Sequence, residues 1–151
     1  MIIVVCNDDP RVGQLAVQTS QGNPGVFGQA VMYNNPGQLA DGEDLYLIGH
    51  GVKADPRGNP SIGDLALNGL SFNAVELYDY LRARGVFANW TRGRGFVLCC
   101  ESLEHDYDSF SFAEVFYAQV APNRTVKVFG RHVNGFVIPP PGDPSYVQVI
   151  F

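Results

Sequence analysis

The sequence predicts a single three-layer α/β domain over residues 1–151, with a mainly parallel sheet of about five to six strands and helices on both faces. Three observations support this prediction. Short apolar runs alternate with helical patterns, two of the runs are apolar throughout, and 46% of the residues are hydrophobic against 17% charged. A chain of 151 residues with this composition can bury a sizeable core, which excludes a disordered protein.

Five apolar runs are predicted as strands, at residues 2–6, 29–33, 45–49, 95–99 and 125–130. The C-terminal tail, residues 136–151, follows a different pattern from these five runs. A C-terminal edge hairpin is predicted there, with strands at 136–138 and 146–151 around a turn at 139–142, because consecutive prolines do not fit a central strand.

Two helices are predicted from apolar residues spaced three and four positions apart. The first covers 74–81, with Ser71 as its N-cap and Gly85 as its end. The second begins with a capping box from Ser111 to Glu114, and Pro122 follows its apolar stripe. A weaker helical pattern covers 10–19.

Charge, hydropathy and cysteine content exclude several classes of function. A net charge of −5 argues against nucleic acid as a partner, since such proteins usually present a basic face. No run approaches the roughly 20 apolar residues of a membrane span, and residues 1–5 lack the positive flank of a secretory signal. The cysteines are Cys6, Cys99 and Cys100, without zinc-ligand spacing, so we predict free thiols and no metal.

Two of the predicted central strands end in reactive residues. The run 45–49 is followed by His50 and Gly51, and the run 95–99 is followed by Cys100. If the strands are neighbours, their carboxyl ends meet at one crevice of the sheet. An imidazole beside a thiol increases the thiolate fraction and then protonates the leaving amine. This pattern predicts His50 as base and Cys100 as nucleophile, with backbone N–H groups near Gly51 and Cys100 facing the oxyanion.

A purely structural interpretation competes with this one. A cysteine at a strand end is usually a core residue, as we predict for Cys6 and Cys99, and a lone His50 would best be explained as a satisfied histidine. Spacing alone makes the two interpretations about equal. His105 and His132 are alternative bases but are predicted to be exposed. Neither a Gly-x-Ser-x-Gly elbow nor a glycine-rich phosphate loop is present.

Taken in order, these motifs resemble the caspase-like (clan CD) cysteine peptidases. An apolar strand ending in His-Gly, a helix, and an apolar strand ending in Cys carry the resemblance. The matching segments are 45–51, 65–71 leading into helix 74–81, 96–102, and 111–113. The opening, residues 2–5 followed by Asn7-Asp8-Asp9-Pro10, resembles the autoprocessing cysteine protease domain of large bacterial toxins. The resemblance extends from the N-terminus to about Gly130.

The resemblance implies that His50 and Cys100 form a catalytic dyad, with the oxyanion site at the backbone of Gly51 and Cys100. It implies a protein or peptide substrate, bound in extended form. The candidate substrate-binding residues are Asp8, Leu98, Glu101 and Arg131. Relatives that cut after basic residues carry Asp two positions before the nucleophile, and caspases carry Gln. Because Leu98 is found there, a neutral or apolar residue before the cut is expected.

The toxin domains are activated by inositol hexakisphosphate in a basic pocket. The residues that could form such a pocket here are Lys53, Arg57, Arg92, Arg94, Arg124, Lys127 and Arg131. The expected function is that of a bacterial toxin or effector module, cytoplasmic or delivered into a target cell, that cleaves a protein or its own chain. The alternatives are a non-catalytic protein-binding module on the same fold, or a Cys–His acyltransferase or hydrolase acting on a small molecule.

Overall fold

The computed structural model describes residues 1–52, 59–66, 68–100, 109–132 and 137–150, with only the backbone described at Val52, Cys99, Cys100 and Ser109. Its strands are β1 (Ile2–Val4), β2 (Ala30–Met32), β3 (Leu45–Val52), β4 (Ser61–Gly63), β5 (Ser71–Asn73), β6 (Arg92–Cys100), β7 (Thr125–Arg131) and β8 (Tyr146–Gln148). Its helices are α1 (Pro10–Gly22), α2 (Pro24–Phe27), α3 (Ala74–Ala83) and α4 (Ser109–Val120).

The strands form one mixed sheet in the order β2-β1-β3-β6-β7-β8. The four pairs from β2 to β7 are parallel, whereas β8 runs antiparallel to β7. A short antiparallel hairpin, β4 and β5, is attached to the carboxyl end of β3. This mostly parallel α/β sheet confirms the predicted fold class.

Alternating residues of the central strands pack into two separate cores. Leu45 and Leu47 belong to the core that α3 and α4 cover, whereas Tyr46 and Ile48 belong to the core that α1 and α2 cover. All four side chains are 0% exposed. Burial on both faces explains why this run carries no polar residue, as the sequence pattern predicted.

The helix boundaries correct two predictions. Ser71 does not cap α3, because it lies three residues before the first helical residue, Ala74; Asn73 is the N-cap and forms a capping box with Glu76. Ser111 lies within the first turns of α4, which begins two residues earlier at Ser109. Gly85 does end α3, since it takes a φ of 79° immediately after the last helical turn.

The strands also extend or pair differently from the prediction. β3 continues to Val52 because β4 pairs antiparallel with its last three residues, so His50 lies within the strand and not after it. At the C-terminus an antiparallel strand does close the edge, and β8 pairs with β7. Val137 and Ile138 form no strand, and Phe136 is outside the described residues.

In the part of the chain that the structure describes, no helix combines the length and the apolar character needed to cross a membrane. The longest, α1, has 13 residues.

Candidate functional site

His50 lies between two strands at the carboxyl end of the sheet. β1 pairs with β3 only as far as Ile48, and beyond that point β4 takes its place. The backbone of His50 is therefore in register with Gly63 of β4 on one side and with Cys100 of β6 on the other. The His50 side chain is 1% exposed, so the imidazole is buried inside the protein.

The imidazole of His50 forms a hydrogen bond with a carboxylate. Its Nε2 atom lies 2.8 Å from Oδ2 of Asp9, which is 7% exposed. Asp9 is the N-cap of α1, where its Oδ1 accepts the backbone N–H of Arg11 at 3.1 Å, and Pro10 follows as the first helical residue. The sequence favours this cap, because Asp at the N-cap followed by Pro is a typical helix start.

The charge of Asp9 is stabilised from a second direction. The Arg11 guanidinium donates from Nε to Oδ1 at 3.0 Å and from NH2 to Oδ2 at 2.9 Å. These bonds, assisted by the one from His50, lower the pKa of Asp9 well below its usual range despite burial. An ionised carboxylate only accepts hydrogen bonds, so the neutral imidazole carries its proton on Nε2 and Nδ1 is its proton-accepting nitrogen.

The backbone of Cys100 is adjacent to that of His50. β3 and β6 are parallel neighbours, with Gly49 paired to Cys99 and His50 paired to Cys100. Paired residues on neighbouring strands are about 5 Å apart. The condition on which the predicted dyad depended, that these two strands are neighbours, is therefore met. The side chains of Cys99 and Cys100 are outside the described part of the chain, so the predicted orientation of either thiol stays a prediction.

The glycines around His50 allow close strand contact. A Cβ atom on Gly49 would lie 2.5 Å from the carbonyl oxygen of Val5 and 2.9 Å from Cγ1 of Ile62. Gly51 is buried and pairs with Ile62 of β4. Gly51, the predicted oxyanion residue, directly follows His50 and is thus part of the β3–β4 ladder.

Two of the candidate substrate-binding residues have other roles in the fold. Both carboxylate oxygens of Asp8 accept backbone N–H bonds, from Leu65 at 2.8 Å and from Ala66 at 2.9 Å. Leu98 is 1% exposed and packs in the core beneath α1, in register with Ile48. Its side chain is therefore not on a surface that a peptide contacts.

Of the other two candidate substrate-binding residues, the structure describes only Arg131. Arg131 is 6% exposed at the carboxyl end of β7, where its Nε donates to Oγ of Ser145 at 3.0 Å. Glu101 and the alternative base His105 lie outside the described residues. The other alternative base, His132, is exposed, as predicted, with its ring 4.7 Å from that of Phe110.

One group of possible metal ligands occurs among the described residues, close to this site. The ligand atoms of Cys6, Asp8 and Asp64 lie within 4.8 Å of one another. The carboxylates are already occupied, because Asp64 accepts the N–H groups of Asn7 at 2.6 Å and of Leu70 at 2.8 Å. Burial also raises the pKa of the Cys6 thiol to about 11, which disfavours the thiolate that binds metals. The group fits a loop contact better than a metal centre.

Four of the seven basic residues considered for inositol phosphate line one open groove. Arg92, Arg94, Arg124 and Lys127 surround a space of about 1210 Å³ at the amino end of the parallel strands. The groove also carries acidic groups: Arg92 lies 3.5 Å from Asp41, and Arg94 lies 2.6 Å from Asp44. Lys53 and Arg57 are outside the described residues, and Arg131 is at the other end of the sheet. Binding of inositol phosphate stays a prediction.

Sequence reasoning selected Asp8 and overlooked Asp9. The signal for Asp9 was present, since it directly precedes Pro10 and the helical pattern, but an N-cap by itself indicates no chemistry. Its contact with His50 joins positions 41 residues apart, and no local pattern reports such a contact.

Comparison with known protein families, curated proteins and solved structures finds no match to this chain.

Proposed function

We propose that this protein is a cysteine endopeptidase in which Cys100 is the nucleophile, His50 the acid–base residue and Asp9 the group that orients the imidazole. The observation that carries the proposal is the buried hydrogen bond between His50 and Asp9, one strand away from the backbone of Cys100. An acceptor-only carboxylate leaves Nδ1 as the basic nitrogen, which is the form that a general base requires.

The proposed reaction proceeds through a thioester. Nδ1 of His50 takes the thiol proton of Cys100 while the sulfur forms a bond to the carbonyl carbon of the scissile amide. The carbonyl electron pair moves to oxygen, which backbone N–H groups near Gly51 and Cys100 stabilise. When the intermediate collapses, the C–N bond breaks and His50 transfers its proton to the departing amine. Water adds to the thioester by the same route, and cleavage of the C–S bond releases the acid and restores the thiol.

The low dielectric around the imidazole supports this assignment. Because His50 and Asp9 are both almost fully buried, water competes little for their hydrogen bond, and the ring keeps one orientation. Arg11 keeps Asp9 ionised. The negative carboxylate of Asp9 therefore lies beside the ring and stabilises the imidazolium formed during the reaction.

The substrate in this proposal is a protein or peptide, with a neutral or apolar residue before the cut. The resemblance to toxin autoprocessing domains supports this choice. The same resemblance supports a role as a bacterial toxin or effector module that cleaves its own chain or a target protein.

A peptide library tests the proposal directly. The wild type, Cys100→Ala and His50→Ala are each incubated with diverse peptides, with and without inositol hexakisphosphate. Cleavage by the wild type and its loss in both variants support the dyad. His132→Ala is the matched control, because it removes an exposed histidine at the end of β7 and should cleave as the wild type does.

Labelling separates proteolysis from the alternative functions. An electrophilic peptide should modify Cys100 faster than Cys6, and the rate should fall when His50 is replaced. Cleavage that persists in Cys100→Ala contradicts the site assignment. Hydrolysis of small esters without cleavage of any peptide favours a small-molecule acyltransferase or hydrolase, and binding of peptides without any turnover favours a protein-binding module.

A further inference from the structure

Two carboxylates join the loop that carries Asp9 to the hairpin that pairs with His50. The first is Asp64, the residue after Gly63 in β4. Its Oδ1 accepts the backbone N–H of Asn7 at 2.6 Å, and its Oδ2 accepts that of Leu70 at 2.8 Å. One side chain thereby connects the loop between β1 and α1 with both ends of the turn between β4 and β5.

The second carboxylate, Asp8, makes the reciprocal connection. It belongs to the β1–α1 loop, and its two oxygens accept the backbone N–H groups of Leu65 and Ala66 at 2.8 and 2.9 Å. These bonds lower the pKa of Asp8 in spite of desolvation, which opposes them. Hydrogen bonds to an ionised acceptor are roughly twice as strong as neutral ones.

We infer that Asp8 and Asp64, here named the bridging pair, are positioning residues that hold Asp9 against the imidazole of His50. The inference rests on the proposed function for its effect on catalysis, but its geometric part does not. The contacts form a closed circuit: Asp8 adjoins Asp9, Asp9 bonds to the ring of His50, and the backbone of His50 pairs with Gly63, which adjoins Asp64.

Close packing leaves the circuit little freedom to adjust. A Cβ atom on Gly69 would lie 2.7 Å from Oδ2 of Asp64, and one on Gly63 would collide with the carbonyl oxygen of Leu70. The turn therefore approaches the carboxylate more closely than a residue with a side chain allows. A displacement of the turn is expected to shift the Asn7–Asp9 segment, and with it the acceptor of the His50 hydrogen bond.

The test measures the His50 Nε2 proton by NMR of the full chain labelled with ¹⁵N-histidine, and the signal is assigned by its absence in His50→Ala. In the wild type this proton should exchange slowly with water, because Asp9 accepts it in a buried position. The variant Asp9→Asn provides the reference, because its exchange rate is that of the His50 Nε2 proton without an ionised acceptor. Asp8→Asn and Asp64→Asn should each accelerate exchange toward that rate, since an amide offers one acceptor oxygen in place of two.

Asp41→Asn is the matched control. Asp41 also accepts backbone N–H groups from a neighbouring loop, those of Thr91 and Arg92, but at the opposite end of the sheet. Asp41→Asn should lose about as much stability as Asp8→Asn and Asp64→Asn do. The exchange rate of the His50 Nε2 proton should stay at the wild-type value. Exchange in folded Asp8→Asn and Asp64→Asn that equals the wild-type rate overturns the inference.

Activity gives the second readout. If the wild type cleaves peptides, the two bridging variants should lose about 10- to 100-fold in kcat/KM, as expected for a displaced catalytic group, with the loss mainly in kcat. A wild type that cleaves nothing contradicts the proposed function and leaves the exchange result standing, so the two failures are distinguishable. Loss mainly through KM, with His50 exchange unchanged, contradicts positioning.

Discussion

The Nε2 atom of His50 lies 2.8 Å from the Oδ2 atom of Asp9, and this hydrogen bond joins the carboxyl end of a central strand to the first turn of a helix. The same carboxylate therefore caps α1, pairs with Arg11 and fixes the imidazole tautomer. Because the three contacts use one side chain, conservative substitutions can separate its structural role from its electrostatic one.

Asp9→Asn should reduce catalysis even where α1 stays folded and capped. Asn is as good an N-cap as Asp, so α1 should remain capped, whereas the ionised acceptor for His50 is lost. An amide permits the wrong imidazole tautomer, and we expect kcat/KM to fall on the order of 100-fold or more. Peptide cleavage and thermal unfolding of the same sample measure the two effects. A large loss of stability with normal turnover in the surviving folded fraction contradicts this assignment.

Acid should remove the contribution of Asp9 to stability. The pKa of Asp9 is lower in the folded protein than in the unfolded chain, because the Arg11 guanidinium and His50 favour the carboxylate. Its contribution is therefore complete above about pH 4, the usual value for Asp, and declines as pH falls toward the folded value. Urea unfolding at pH 7, 5 and 3 should show that wild type and Asp9→Asn converge as pH falls. A gap that stays constant over this range contradicts the prediction.

The thiol of Cys6 should be unreactive in the folded protein. Burial raises its pKa from the ordinary 9.0 to about 11, and the residue is 4% exposed. Iodoacetamide at pH 8 should leave Cys6 unmodified until urea unfolds the chain, as mass spectrometry of tryptic peptides will show. Rapid modification of Cys6 under native conditions would place its thiol at the surface and contradict its position in the core.

The same shift predicts a loss of stability in alkali. The folded state holds the Cys6 proton to a higher pH than the unfolded state does, so this contribution is complete below about pH 9 and is lost as pH rises through about 11. Cys6→Ala removes this titration. The stability difference between wild type and variant should therefore change between these two pH values and remain constant below them.

Gly49→Ala should destabilise the sheet beside His50. The added methyl group would meet the backbone oxygen of Val5 at 2.5 Å, and backbone cannot move aside as a flexible side chain does. We expect a loss of about 1–3 kcal/mol in the free energy of unfolding. Gly13→Ala is the control within α1, where nothing lies within 4 Å of the new atom, and it should gain about 0.5–1 kcal/mol. Equal effects at the two glycines would contradict the close contact.

The sequence by itself determined the fold class and which strand runs end in reactive residues, whereas the order of strands in the sheet made the two ends neighbours. Strands such as 45–48, buried on both faces, require continuous apolar runs, and the helices require their own period, so local composition carries this information. The helix start at Pro10 and the helix end at Gly85 are local for the same reason, since a cap depends on the conformation of a few consecutive residues.

Only the tertiary structure decided what surrounds His50. Strands β4 and β5 have three residues each, too short for a periodic pattern, yet their pairing with β3 places His50 inside the strand. The partner of β8 and the contacts of Asp9 and Asp64 likewise depend on which distant segments meet. The sequence does not distinguish a carboxylate that faces water from one that caps a loop or accepts a hydrogen bond from an imidazole. Its role is determined by the donors that folding brings to it.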